Sequence, residues 1–120
     1  MKIFTAAILP LALAAGFALS PALAEERFLS QLDDLPLPDG LTEQPNGVFF
    51  EANGGRIVET AASGAAKAGD VRRFYDQSLP QLGWTKDAQG RYARENERLT
   101  IAVEERNGIA TVRFSLAPSP

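Results

Sequence analysis

Apolar and polar residues recur along this chain with two different periods, and the change of period marks its elements. From Asp70 to Trp84 the period is helical. Val71, Phe74, Tyr75, Ser78, Leu79 and Leu82 fall on one side, and Arg72, Arg73, Asp76, Gln77 and Gln81 on the other. Asp70 is a natural N-cap, since its carboxylate can accept from the first free amides and meets the positive end of the helix dipole. Gly83 suits the left-handed position that stops a helix. Pro80 removes one helical hydrogen bond and bends the helix or shortens its last turn. The pattern predicts one main helix over about residues 70–82, with a strand starting at Trp84.

Around that helix the period is two. Val48–Glu51 and Arg56–Ala62 read as strands flanking Asn53-Gly54, with Glu51 facing Arg56 and Phe50 facing Ile57. Ser63–Gly69 has the small-residue composition of a linker into the helix. After the helix, Trp84–Asp87 and Arg91–Arg94 flank a three-residue loop ending in Gly90. Glu95-Asn96-Glu97 is a weaker turn. Arg98–Glu105 and Ile109–Leu116 flank Asn107-Gly108, a strong hairpin signal. A two-residue turn there pairs Val103 with Val112, Ile101 with Phe114 and Leu99 with Leu116. The other face pairs Thr100 with Ser115, Ala102 with Arg113 and Glu104 with Thr111. A slip of one residue would mix the two faces, so the register is well specified. Carried back through the earlier turns, the pairing puts Tyr92 and Trp84 on the apolar face. The predicted fold class is α+β: the helix packed in two layers on a twisted antiparallel meander, with an additional N-terminal β-hairpin. Where that first hairpin joins the sheet is left open by the pattern.

The residues before the first hairpin behave differently. Lys2, the uncharged apolar run Ile3–Leu19 and Ala22-Leu23-Ala24 form a secretory signal peptide, with cleavage expected between Ala24 and Glu25. The alternative, an uncleaved anchor, fits less well with Pro10, Gly16 and the short run. Residues 25–46 read as an extended arm, because Leu35-Pro-Leu-Pro-Asp-Gly-Leu41 disfavours helix. Its leucines Leu35, Leu37 and Leu41 either drape over the core or, in a sharper reading, present a pre-extended docking peptide. Residues 47–117 are then the single α+β domain, and 118–120 a frayed tail.

Charge and composition narrow the function. Cleavage removes Lys2 and takes the formal charge from −3 to −4 (11 basic against 15 acidic residues). An acidic chain of about 96 residues is a poor candidate for nucleic acid or an anionic membrane surface. No later stretch reads as an integral membrane segment. There is no cysteine, so neither a disulfide nor a lipid on a cysteine is available.

Several segments together carry a resemblance: Leu35-Pro-Leu-Pro-Asp-Gly-Leu-Thr-Glu43, Gly55-Arg-Ile-Val-Glu59, Phe74-Tyr75 leading to Leu79-Pro-Gln-Leu-Gly-Trp84, and Val112-Arg-Phe-Ser-Leu116. Their arrangement resembles small, uncharacterised secreted periplasmic proteins of Gram-negative bacteria. The resemblance implies an envelope location and a single domain. It implies no activity and transfers no functional residue.

Chemistry-bearing groups are sparse. With no histidine and no cysteine, the usual neutral-pH base, the usual transition-metal ligands and the thiol nucleophile are missing. Ser63 and Lys67 are four apart, where a serine–lysine hydrolase motif needs three. Glu51 with Glu59, or Glu104 with Glu105, are weak candidates for paired carboxylates. Asp33-Asp34 and Asp39-Gly40 match no calcium-loop spacing. Arg91, Arg94, Arg98, Arg106 and Arg113 make the sheet half locally basic, interleaved with glutamates as on a solvated face. No catalytic residue, metal or cofactor is expected, and the chain reads as a non-enzymatic binding or adaptor module with a protein partner in the cell envelope. The candidate contact residues are Leu35, Leu37, Phe49 and Arg113. A small-ligand or lipid-binding protein with its cavity between helix and sheet is the alternative, and a small hydrolase of unfamiliar type a third.

Overall fold

The computed structural model describes residues 27–52 and 54–119. In chain order it holds β1 (Arg27–Phe28), β2 (Pro36–Leu37), β3 (Leu41–Glu43), β4 (Val48–Ala52), β5 (Gly55–Ala65), α1 (Ala68–Ser78), a 3-10 turn (Pro80–Leu82), β6 (Thr85–Lys86), β7 (Tyr92–Arg94), β8 (Glu97–Arg106) and β9 (Ile109–Pro118). β1 and β2 make a small ribbon. The rest form one antiparallel sheet in the order β3, β5, β9, β8, β7, β6, with β4 also paired to β5. This is the expected α+β fold, one helix on a largely antiparallel sheet.

The hairpin registers are those of the sequence pattern. Val103↔Val112, Ile101↔Phe114 and Leu99↔Leu116 share the inner face, and Asn107 and Gly108 both have positive φ (55° and 79°). The first hairpin pairs Glu51↔Arg56 and Phe50↔Ile57; Asn53, placed in its turn by the sequence, lies outside the described residues. The open question is answered by β5, which pairs with the C-terminal strand through Val58↔Leu116 to Ala65↔Ile109. β5 therefore continues through Ser63-Gly64-Ala65, where a linker was expected. Small residues are required there. A Cβ at Gly64 would run into the carbonyl oxygen of Gly40, so the close approach of β3's lead-in needs a glycine.

The helix starts two residues earlier than expected, with Lys67 rather than Asp70 in the N-cap position. The cause lies across the layers: the Glu105 carboxylate accepts from the Ala68 N–H at 2.8 Å, so β8 supplies the anion that the helix dipole favours. Asp70 falls in the first turn and pairs with Arg73. Pro80 ends α1 at Ser78 and opens the 3-10 turn. Gly83 then adopts φ 94°, and the Trp84 N–H closes back on the Leu79 carbonyl at 3.1 Å. Val71, Tyr75 and Leu79 join Leu99, Val112, Phe114 and Leu116 in the core, and the Tyr75 ring stands edge-on to Phe114. Leu82, which the helical pattern placed on the apolar side, is exposed beyond the proline.

The arm is part of this fold. Leu29, Leu32, Leu35, Leu37 and Leu41 are all buried, β3 joins the sheet edge, and the Tyr75 hydroxyl donates to the Pro36 carbonyl at 2.7 Å. Asp34 pairs with Arg94 at 2.6 Å, and the Arg27 guanidinium donates to the Leu41 carbonyl. The division at residue 46 is thus no boundary between packing units. At the other end β9 runs through Pro118, and the Ser119 N–H donates to the Asn96 carbonyl, so the first two residues of the expected frayed tail are held. The expected signal peptide and its expected cleavage point fall among residues 1–26, outside the described residues.

Candidate functional site

β3 and β4 lie end to end along the same edge of β5, because β5 is occupied on its other edge by β9. The break between them is Gln44-Pro45-Asn46-Gly47. Asn46 takes φ 82°, Pro45 has no N–H to offer, and a Cβ at Gly47 would press on Thr60. The Gln44 N–H still donates to the Ala61 carbonyl at 2.8 Å, after which the edge restarts as β4. Among the described residues no strand pairs with the outer edge of β4.

That edge is apolar. Val48, Phe49 and Phe50 are 48%, 43% and 50% exposed, on three consecutive residues of a five-residue strand. They point alternately to opposite sheet faces. Phe49 shares the inner face with its partner Val58, beyond the cover of the helix. Val48 and Phe50 share the outer face with Glu59 and Ile57. Consecutive aromatics on a bare edge strand are unusual in a soluble protein, where edges are commonly charged, short or covered.

The candidate residues named by the sequence fare differently. Leu35 and Leu37 are buried in the core and present no docking surface. Phe49 is exposed at the free edge. Arg113 is exposed on the outer face, between Ala61 and Ala102 on the neighbouring strands, and lines an open cleft of about 300 Å³ together with Val48, Glu59, Ala61 and residues 44–47. The structure therefore separates Phe49, on the inner face, from Arg113, on the outer face, and it is Val48 that shares the cleft with Arg113. Val48 and Phe50 belong to the same edge but were not singled out. The signal for them was available: strand alternation puts Val48 and Phe50 together on the face opposite Phe49, the wet face of the expected sheet.

The possible catalytic groups do not converge. Ser63 lies on β5 and accepts from the Gln44 side chain, while Lys67 precedes α1. Glu51 and Glu59 lie on opposite sheet faces, as their partners Arg56 and Val48 require. Glu104 and Glu105 also diverge, the latter toward the helix. One polar cluster is close-knit: the Tyr92 hydroxyl and Lys86 ammonium both donate to Asp76, at 2.7 and 3.0 Å. Those two hydrogen bonds, Tyr92 first, hold the Asp76 carboxyl below the usual carboxylate range. Desolvation, and then Asp76 itself, push the Tyr92 hydroxyl up. Burial does the same to Tyr75. Each shift moves its group away from neutrality, the reverse of what proton transfer at ordinary pH needs. Among the described residues no cluster of acidic side chains could hold a metal ion, and no helix is long and apolar enough to cross a membrane.

A second apolar feature lies on the helix side. Phe28, Pro36, Phe74 and Leu82 line a groove of about 360 Å³ with Gln77, Ser78 and Gln81. The Ser78 hydroxyl is buried there and has no hydrogen-bond partner among the described residues. No protein-family model, curated protein or solved structure matches the chain.

Proposed function

We propose that the chain is an exported, non-enzymatic binding module of the cell envelope that takes a protein partner by strand addition on β4. One observation carries this reading: an edge strand with an unpaired outer side bears Val48, Phe49 and Phe50, all about half exposed. An incoming extended segment would gain main-chain hydrogen bonds along the edge, and its alternate side chains would meet Phe49 on one face and Val48 with Phe50 on the other. Arg113 and Glu59 on the outer face offer polar contacts beside the apolar ones. Export rests on the N-terminal pattern, and the absence of histidine, cysteine and convergent carboxylates supports a role without chemistry.

The test is site-specific photo-crosslinking in envelope extract, with a benzophenone side chain in place of Phe50 and, as control, in place of Thr100. Thr100 is exposed on the outer face, on β8, three strands across the sheet from β4. Protein adducts from position 50 and none from position 100 are expected. Equal adducts from both, or none from position 50, would defeat the reading.

The lipid or small-ligand alternative has one observation in its favour, the groove beneath Phe28 and Leu82 with the unpartnered Ser78 hydroxyl. The space between helix and sheet is taken up by Tyr75, Phe114 and Leu99, so such a ligand would sit in this groove and not in the interlayer core. Native mass spectrometry of the mature protein with and without Phe74→Ala distinguishes this case: retention of a small apolar molecule by the parent chain and its loss from the variant would support it.

A further inference from the structure

The free edge is self-complementary, and its single charge selects one way of pairing it. We infer that the partner which covers β4 is a second copy of this chain, added antiparallel about a two-fold axis through Phe49. This deepens the strand-addition reading and rests on it.

Three registers can be compared. In an antiparallel pair related by a two-fold axis normal to the sheet, residues of like parity face each other, and each keeps its own sheet face. Centring on Glu51 sets two carboxylates directly opposite, which is unfavourable. Centring on Phe50 sets each Glu51 against the partner's Phe49. Centring on Phe49 sets Phe49 against Phe49 on the inner face, Val48 against Phe50 on the outer face, and Glu51 against Gly47, where there is no side chain to oppose it. The two Glu51 carboxylates are then held about 13 Å apart along the edge, at ~3.3 Å per residue. This register covers all three exposed apolar residues with apolar partners.

The backbone agrees. Hydrogen-bonded and non-bonded pairs alternate in an antiparallel ladder, and the pair flanking a two-residue turn is a bonded one. Counting from Ala52↔Gly55 makes Phe50↔Ile57 and Val48↔Glu59 bonded pairs. The N–H and C=O groups of Phe49 and Glu51 consequently face away from β5, free to bond a neighbour. A two-fold at Phe49 joins Phe49 to its own copy and Glu51 to Gly47 of the other, in both directions. The ladder ends at Gly47 because Asn46 is left-handed (φ 82°) and Pro45 lacks an N–H. The opposite edge of the sheet, β6, has two residues. Pairing through β4 therefore closes at two copies and does not propagate into a filament.

The experiment uses the mature chain in analytical ultracentrifugation over a concentration series. The parent chain is expected to sediment at twice its monomer mass. Phe49→Lys and Phe49→Glu each place like charges across the axis and should weaken self-association on the order of a hundredfold. Mixed in equal amounts, the two variants should restore a dimer, because position 49 faces itself only in this register. Since a variant could fail to fold, amide exchange on the parent chain gives a second reading: protection of Phe49 and Glu51 should rise with protein concentration. A parent chain that stays monomeric up to about 1 mM overturns the inference. So does a dimer that either single variant leaves intact, or one in which those two amides exchange freely. Photo-crosslinks separate the two levels. A monomeric chain whose position 50 still captures a foreign peptide overturns self-pairing and leaves strand addition standing, while no capture and no dimer removes both.

Discussion

At the scale of single residues, the places where the chain departs from simple patterning are places where backbones come close. Gly64 is the sharpest. It sits within β5, paired with Leu41 on one side and Ala110 on the other, and the Gly40 carbonyl occupies the space a methyl group would need. The contact is with backbone, which cannot swing aside as a flexible side chain can. Gly64→Ala should therefore cost about 1–3 kcal/mol, the range for forced overpacking, even though alanine is favoured over glycine on entropic grounds. Urea unfolding of residues 25–120 measures it. A loss below about 0.5 kcal/mol would show that β3 moves away from β5 with little resistance. Gly55 is a contrasting case: a Cβ there would meet the ring of Pro118, a side chain at the end of β9, and the left-handed φ of 147° sets its requirement.

At the scale of elements, the arm decides more than its irregular appearance suggests. It contributes five fully or nearly buried leucines, a sheet-edge strand, and the carbonyl that satisfies the Tyr75 hydroxyl. Each buried leucine is worth about 2–5 kcal/mol by truncation, so a chain beginning after Gln44 loses on the order of 10 kcal/mol or more, comparable to the whole stability of a small domain. Such a chain should show no cooperative unfolding transition and a collapsed near-ultraviolet signal from Trp84. A sharp transition would mean that the sheet and helix close without the arm. The same element shows what was legible in the sequence. Local signals were legible: Asn107-Gly108 set the β8–β9 register, Gly83 took the left-handed position expected of it, Gly90 closes its loop with a φ of 84°, and Pro80 shortened the helix. What depended on distant partners was not. The helix start follows Glu105, 37 residues on. The length of β5 follows from β9, which covers residues that by composition alone look like a linker. The site was half legible for the same reason. Phe49 is among the residues the sequence offers, but that Phe50 and Val48 are equally open follows from the outer face carrying no second layer, and that the backbone beside them is unpaired is a fact of strand order and not of local sequence.

At the scale of the whole molecule, acidic groups join elements that the hydrophobic core alone would leave free to slide. Asp76 on α1 receives Tyr92 from β7 and Lys86 from β6, and Asp87 holds the Gly90 loop through the amides of Arg91 and Gln89. Both carboxyls lie below their ordinary range, Asp76 chiefly through the Tyr92 hydroxyl and Asp87 chiefly through the Arg91 amide. A depressed folded-state value means that the unfolded chain binds the proton first as pH falls. The stabilisation is therefore complete above the unfolded value, about 4, and is lost as pH falls through the lower folded value. The urea midpoint should be level from about pH 8 to 5 and decline below about 4. Asp76→Asn mimics the protonated carboxyl while keeping an acceptor for Tyr92. Since the Asp76 side chain is about half exposed, solvent limits its worth, and the variant should lose at most about 1 kcal/mol at pH 7. Its difference from the parent should then shrink as pH falls below about 4 and the parent's own Asp76 takes up its proton. A difference that stays constant across this range would assign the loss to altered packing of Tyr92 and not to the charge on Asp76.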